Sequence, residues 1–165
     1  AAAPSRRLRV GLAWSGNPLH ANDENRSMTF AALAPLVALD ATFVSLQPQV
    51  RPRDADAFGA SGVLSFDGAL TDFAQTAALV DALDLVVSVD TSVAHLAGAL
   101  GRPAWVLLPR VPDWRWLLDR DDSPWYPGAT LFRQTRPGDW RPVVERVAAA
   151  LAARIARGTR VTGRL

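Results

Sequence analysis

The stretch that decides the fold lies at residues 86–95, which read VVSVDTSVAH. Its first four residues are apolar and β-branched apart from one serine, as in a strand that is buried on both faces of a sheet. The pattern changes at Asp90, after which apolar residues recur at helical spacing. The sequence therefore predicts a strand over Asp84–Val89 that leads into a helix over Thr91–Leu100, with Gly101 closing that helix.

The rest of the chain alternates between short apolar runs and helical periodicity. The apolar runs predict five further strands, Leu8–Trp14, Thr42–Leu46, Gly62–Phe66, Pro103–Leu108 and Ala129–Arg133. The periodic segments predict helices over Thr29–Leu39, Asp72–Leu83 and Asp139–Ala156. Strands that are apolar throughout and alternate with helices indicate a parallel sheet covered on both faces. Right-handed crossovers then favour a Rossmann-like three-layer α/β sandwich, doubly wound, with strand order 3-2-1-4-5-6.

Composition limits the classes of protein and of site. The 165 residues suit one domain, which we place at residues 8–157, with residues 1–7 as a lead or linker at a domain boundary of a longer parent chain and residues 158–165 as a flexible tail. There are no cysteines, so disulfides and thiolate metal sites are excluded. All 18 basic residues are arginines, and they form no stripe interleaved with aromatic residues, which argues against nucleic-acid binding.

No apolar run in the sequence is long enough to span a bilayer. Nothing in the cysteine usage points to an oxidising compartment either. We therefore expect a cytoplasmic protein, with peripheral attachment to the inner membrane as an alternative.

The predicted strand order places two polar segments at one crevice. The first and fourth predicted strands are neighbours whose connections run in opposite directions, and ligands bind outside the carboxyl ends of such strands. The first strand is followed by Ser15, Gly16 and Asn17 and, further on, by Arg26; the fourth is followed by Asp90, Thr91 and Ser92. These segments are distant in sequence, and we expect them to face each other.

The segment after the fourth strand has the chemistry of a phosphate site. Asp90 can cap the helix, which leaves first-turn N–H groups and the positive end of the helix dipole directed at the crevice. Thr91 and Ser92 add hydroxyl donors, and His95 lies about one turn further on, on or near the same face. The alternative is that Asp90 only caps the helix and that His95 is a half-buried structural residue.

The segment after the first strand strengthens the phosphate interpretation. Ser15 and Gly16 allow the backbone to approach a ligand closely, and Arg26 is a natural partner for phosphate. The alternative is a solvated polar loop. Neither GxGxxG nor GxxxxGK[ST] occurs, so the common dinucleotide and P-loop sites are not indicated.

A third segment follows the fifth predicted strand and also begins at the crevice. It is an aromatic, charged connection over Val111–Pro127 that contains Asp113, Trp114 and Trp116. Together with Asp72, at the start of a predicted helix, these three residues are candidate contacts for a sugar or a base. The alternative is that the tryptophans fill the domain's own core or face a partner domain.

These residues carry a resemblance to a known family. Residues 86–103, with Asp-Thr-Ser-x-x-His-x-Ala at 90–97, resemble the C-terminal signature of family 9 glycosyltransferases, the heptosyltransferase group. Asp67-Gly68 and residues 72–79 resemble the segment that precedes that signature. With its Asp-Trp-Arg-Trp and Ser-Pro-Trp-Tyr-Pro stretches, the chain is most similar, over about Leu8 to Ala150, to the glycosyltransferase-like C-terminal region of bacterial tetratricopeptide-repeat proteins.

The resemblance implies the C-terminal half of a GT-B fold, in which two Rossmann-like domains share a nucleotide-sugar donor. It places the donor diphosphate at Thr91 and Ser92, near the loop after the first strand, and it implies no metal and no cofactor. The catalytic base would lie in the N-terminal half, so no catalytic residue is assigned in this chain. The family carries Lys-Arg where this sequence has Asn25-Arg26, so the lysine is absent.

We therefore expect the donor-binding half of a metal-independent, inverting glycosyltransferase. Its partners would be a nucleotide-diphosphate sugar, an N-terminal GT-B half and the tetratricopeptide repeats of a parent chain, with no nucleic acid and no membrane span. The alternatives are a degenerate GT-B module used for protein interaction, and an enzyme similar to a nucleotide-sugar epimerase.

Overall fold

The protein is described here from a computed structural model, which covers residues 7–66 and 68–161, with side chains to residue 158. Its centre is a sheet of five parallel strands in the order β2-β1-β3-β4-β5. The strands are β1 (Arg9–Ala13), β2 (Thr42–Ser45), β3 (Leu85–Val89), β4 (Ala104–Leu108) and β5 (Ala129–Arg133). The predicted doubly wound α/β class is confirmed, and each of these strands lies within a predicted one.

The third predicted strand, Gly62–Phe66, is wrong. Only Leu64 pairs with the sheet, through a single parallel bridge to Val44 on the outer side of β2. Leu64 and Phe66 are about half exposed, so the apolar pattern that predicted a strand has no core to bury it. The bridge nevertheless lies where the predicted order 3-2-1-4-5-6 puts the third strand.

Six helices accompany the sheet in the described residues. They are α1 (Asp23–Arg26), α2 (Ala34–Val37), α3 (Ala55–Gly59), α4 (Phe73–Asp81), α5 (Ser92–Ala99) and α6 (Arg141–Val161), with 3-10 turns at Phe30–Leu33, Pro52–Asp54 and Trp114–Trp116. The single turn of α1 was not predicted, and α6 continues past its predicted end at Ala156. The predicted helix over Thr29–Leu39 is divided into a 3-10 turn and α2, since Pro35 has no N–H to continue one ladder.

The core lies on both faces of the sheet. All five residues of β3 are buried, as the apolar run predicts. On one face, α6 packs Val143, Val147 and Leu151 into the largest apolar cluster. On the other face, the cluster includes residues from α4 and α5. A fully buried leucine or valine contributes roughly 1.5–3 kcal/mol, so this packing holds the strand ends in fixed positions.

The fold creates a switch point between β1 and β3. The two strands pair directly, with Ala13 opposite Ser88 at their carboxyl ends. The chain leaves β1 toward β2 on one side and leaves β3 toward β4 on the other. The loops that follow these strands therefore diverge and leave a crevice at their carboxyl edge.

Candidate functional site

Two adjoining cavities occupy the carboxyl edge of the sheet. The larger has a volume of about 1090 Å³ and lies among the loops after β1 and β2 and the first turns of α4 and α5. The smaller, of about 620 Å³, lies among α1, α5 and the loop after β4. Arg26, Thr91 and Ser92 line both cavities, so these three residues form the boundary between them.

The loop after β1 is held by Gln47, two residues beyond the end of β2. The Ser15 N–H donates to Gln47 Oε1 at 3.2 Å, and Gln47 Nε2 donates to Ser15 Oγ at 2.9 Å. Asn17 is exposed in the larger cavity, where its Oδ1 accepts the Leu19 N–H at 2.9 Å. The backbone at the mouth of the crevice is therefore fixed on both sides of Gly16.

Gly16 makes room for Arg26. A Cβ at residue 16 would lie 2.7 Å from Arg26 Nη2, well inside van der Waals contact. From this position Arg26 Nη1 donates to the carbonyl oxygen of Asp90 at 3.1 Å. Only 14% of the Arg26 side chain is exposed. The guanidinium therefore connects the loop after β1 with the end of β3, and it borders both cavities.

A buried carboxylate organises the same loop. Asp23 accepts from Ser27 Oγ at 2.7 Å and from Arg51 Nη2 at 2.6 Å, and Arg51 Nη2 also donates to the Gly16 carbonyl at 2.8 Å. Burial alone would raise the pKa of Asp23, but the hydrogen bonds from Ser27 and Arg51 and the charges of Arg51 and Arg26 together lower it. Asp23 is therefore a stable anion that positions the two arginines.

Sequence reasoning missed Gln47 and Arg51 as site residues. Both follow β2, whose carboxyl end lies at the same edge of the sheet as those of β1 and β3. The available signal was an arginine four residues after a glutamine in the loop that leaves a buried strand. Arg51 lines the larger cavity together with Arg26 and Arg53, so this cavity is rich in cations.

The start of α5 differs from the prediction in one respect. Asp90 does not cap the helix: Thr91 is the N-cap residue, and no side chain makes a capping hydrogen bond. The Thr91 hydroxyl instead lies 3.0 Å from Ser88 Oγ. Because it is engaged there, it does not cap the N–H groups of the first helical turn. Within the described chain, the N–H groups of Ser92 and Val93 have no acceptor. The predicted set of unpaired donors is thus present without Asp90 as its cap.

His95 is held on three sides. Its Nδ1 is 3.0 Å from the Tyr126 hydroxyl, and its Nε2 is 3.7 Å from Asp90 Oδ1. The imidazole also stacks on the Trp116 ring, with centroids 5.1 Å apart and planes 22° from parallel. Asp90 and His95 both line the smaller cavity, and a third of the His95 side chain is exposed.

The structure separates the four candidate sugar or base contacts. Trp116 is completely buried, so its assignment as a ligand contact is wrong; it fills the core beside His95. Trp114 is 67% exposed and lies against Arg115, and it borders neither cavity. Asp113 lines the smaller cavity, and Asp72 lines the larger one while capping α4. The crevice therefore brings together only the two aspartates of the four.

The connection after β4 is ordered by one arginine. Arg133 of β5 donates to the carbonyl oxygens of Trp116, Leu117 and Arg120 at 2.6, 3.0 and 2.9 Å. Burial lowers the pKa of Arg133, although the negative charges of nearby aspartates act to raise it. Within this loop Leu117 has φ 54° and ψ −167°, a conformation that costs a non-glycine residue about 1–3 kcal/mol. The three carbonyl contacts hold it in that conformation.

The described residues contain neither a cluster of metal-binding side chains nor a membrane-spanning helix. No group of three or more histidine, aspartate or glutamate side chains in residues 7–66 and 68–158 is arranged to hold a metal ion. Across the same part of the chain, each helix is too short or too polar to traverse a bilayer. Asp67, part of the resemblance above, and residues 1–6 and 162–165 lie outside the described residues.

The fold and a matched segment define a glycosyltransferase-like α/β domain. The segment is residues 69–107, which match glycosyltransferase family 9, the heptosyltransferase family. It contains α4, β3 and α5 and the Asp90–His95 motif, so the resemblance stated from those residues is confirmed.

Two further proteins are similar to this chain. Protein FlbA of Caulobacter vibrioides is 38% identical over 80 residues, which are 48% of this chain and 13% of FlbA. A solved structure of the wall teichoic acid polymerase TagF aligns with 97% of this chain and 39% of the TagF chain, at 10% identity and a TM-score of 0.40. The chain thus matches well under half of either protein's length. The association with tetratricopeptide repeats stays a prediction.

Proposed function

We propose that this chain is the nucleotide-sugar-binding half of a GT-B, family 9-like, metal-independent inverting glycosyltransferase. The observation that supports this function best is the boundary between the two cavities, formed by Arg26, Thr91 and Ser92. A guanidinium, the Ser92 hydroxyl and unpaired helix N–H groups converge there, and this combination favours a diphosphate.

The cavities on either side suit the two ends of such a donor. The larger one has apolar walls that include Leu46, Leu70 and Phe73, which fit a nucleoside. The smaller one is bordered by Asp90, His95 and other polar groups, which fit the hydroxyls of a sugar. A diphosphate joins nucleoside to sugar, and in this proposal it lies at the boundary that joins the cavities.

The proposed chemistry at this half of the enzyme is electrostatic. As the glycosidic bond to the diphosphate breaks, negative charge grows on the phosphate oxygens. Arg26 and the first-turn N–H groups of α5 are already positioned there, so they stabilise that charge without a metal. The acceptor and its base belong to an N-terminal half, and this chain binds the donor without transferring its sugar. The proposed setting is a cytoplasmic parent protein that also carries tetratricopeptide repeats.

Titration calorimetry of the purified chain with UDP-N-acetylglucosamine, GDP-mannose and ADP-glucose tests the proposal. At least one should bind, and Arg26→Ala should weaken that binding by about 1.5–3 kcal/mol, roughly 10- to 150-fold, because a charged hydrogen bond is lost. The matched control is Arg141→Ala, a surface arginine of α6 that is largely exposed. Failure of all three donors to bind at millimolar concentration would exclude the function for this chain and favour a protein-interaction module.

A further inference from the structure

We propose that Tyr126 is a positioning residue: its hydroxyl donates a hydrogen bond to His95 Nδ1 and fixes the neutral imidazole with its proton on Nε2. The inference rests on the proposed function, because it concerns how His95 meets the donor in the smaller cavity. The contact itself is a 3.0 Å approach of the two atoms, in which either could donate.

The neighbour on the other side of the ring decides the direction. His95 Nε2 faces Asp90 Oδ1 at 3.7 Å, and a carboxylate can only accept hydrogen bonds. A lone pair on Nε2 would place two acceptors against each other, whereas an N–H there meets a favourable charge. With the proton on Nε2, Nδ1 must accept, and the Tyr126 hydroxyl is the group that donates to it.

Two packing contacts support this arrangement. The buried Trp116 ring stacks on the imidazole and holds its plane. The Tyr126 ring lies directly over Gly98, where an added Cβ would come within 2.4 Å of the ring carbons. Any side chain at residue 98 would therefore displace Tyr126 from α5 and with it the hydroxyl from His95.

The consequence is that His95 presents a hydrogen-bond donor, its Nε2–H, at the smaller cavity. At 3.7 Å the Nε2–H of His95 is too far from Asp90 for a direct hydrogen bond. The N–H is therefore free to donate a hydrogen bond to an oxygen atom of the nucleotide sugar that enters the cavity. In the other tautomer, His95 Nε2 would be a second acceptor beside Asp90. The oxygen of the nucleotide sugar would then lose its hydrogen bond.

Nitrogen-15 NMR of the imidazoles tests the tautomer without any ligand. The chain has two histidines, and His20 serves as an internal reference because its Nδ1 accepts the exposed Asn22 N–H. In spectra recorded at alkaline pH, His95 should show a protonated Nε2 and an unprotonated Nδ1. Tyr126→Phe keeps the ring on Gly98 and should raise the Nδ1–H population of His95 while leaving His20 unchanged. A protonated Nδ1 in the wild type, or an unchanged His95 in Tyr126→Phe, would overturn the inference.

Calorimetry supplies the functional reading. Tyr126→Phe should weaken binding of UDP-N-acetylglucosamine roughly 2- to 12-fold, the effect of one neutral hydrogen bond, and leave UDP binding unchanged. Gly98→Ala should give the same selective loss, and Trp125→Phe, an exposed aromatic nearby, should give none. Equal losses for UDP and the sugar nucleotide, or no loss for either, would contradict a positioning role.

The two proposals can fail separately. If the wild type binds none of UDP-N-acetylglucosamine, GDP-mannose and ADP-glucose, the proposed function fails, while the wild-type NMR spectrum still decides whether Tyr126 sets the tautomer. If UDP-N-acetylglucosamine does not bind but another of these donors does, that donor and its nucleoside diphosphate replace it in the comparison. If Tyr126→Phe does not fold, the tautomer of wild-type His95 remains the deciding measurement.

Discussion

Replacing Gly16 with alanine should act on the protein through Arg26. The new Cβ would lie 2.7 Å from Arg26 Nη2, against about 3.4 Å for an ordinary contact, so the guanidinium must retreat by about 0.7 Å. The same guanidinium donates through Nη1 to the Asp90 carbonyl at 3.1 Å, and a shift of that size is enough to break this hydrogen bond. The loss of a hydrogen bond to a charged group costs about 1.5–3 kcal/mol.

A double-mutant cycle measured by urea unfolding tests this mechanism. Gly16→Ala should lower the free energy of unfolding by about 1.5–3 kcal/mol in the wild type and by nearly nothing in Arg26→Ala. Gly59→Ala is the matched control, because an added Cβ there has no atom within 4 Å; it measures the gain from a less flexible unfolded chain. If Gly16→Ala lowers the free energy of unfolding equally in the wild type and in Arg26→Ala, the two residues are not coupled. The inference that a glycine at residue 16 makes room for Arg26 would then be refuted.

Two further predictions concern stability. Because the pKa of Asp23 is lowered in the folded state, its contribution is fully present above its usual value of 3.8 and is lost as the pH falls through the lower, folded-state pKa. Urea unfolding should show Asp23→Asn less stable than the wild type near neutral pH by about 3–5 kcal/mol, since Arg51 loses its buried partner. This difference in the free energy of unfolding should narrow as the pH falls below 3.8, and a constant difference would contradict the prediction. Leu117→Gly should raise the free energy of unfolding by about 1 kcal/mol, because glycine adopts φ 54° without strain. The neighbouring Leu118 has no positive φ to relieve, so Leu118→Gly should lower the free energy of unfolding in the same urea experiments. Destabilisation of similar size by both substitutions would disprove the strain at Leu117.

The sheet could be predicted because its signal is local and redundant. Each strand is an apolar run between polar breaks, and the handedness of crossovers limits the order of the strands. The crevice followed from the same rule, since the residues after β1 and β3 must share an edge. Gly62–Phe66 shows the limit of this reasoning, because a short apolar run forms a strand only when another element covers it.

The details of the site depend on contacts that one sequence does not contain. The single turn of α1 is held by the bond from Arg51 to Asp23, which joins two separate loops. Asp90 has the residue type of a cap, but Ser88 engages the next hydroxyl and the helix begins one residue later. Trp116 is of a residue type that often contacts ligands, and only its position against the His95 ring shows that it belongs to the core.

Arg133 gives the loop after β4 a property more familiar from calcium-binding proteins. Such loops are organised by carbonyl oxygens that converge on a cation, and they lose their order when a chelator removes the ion. Here the cation is a guanidinium, and three carbonyl oxygens converge on it in the same way. It is attached covalently to β5, so no chelator can extract it. The loop that carries Leu117 therefore keeps its shape for as long as β5 remains paired with β4.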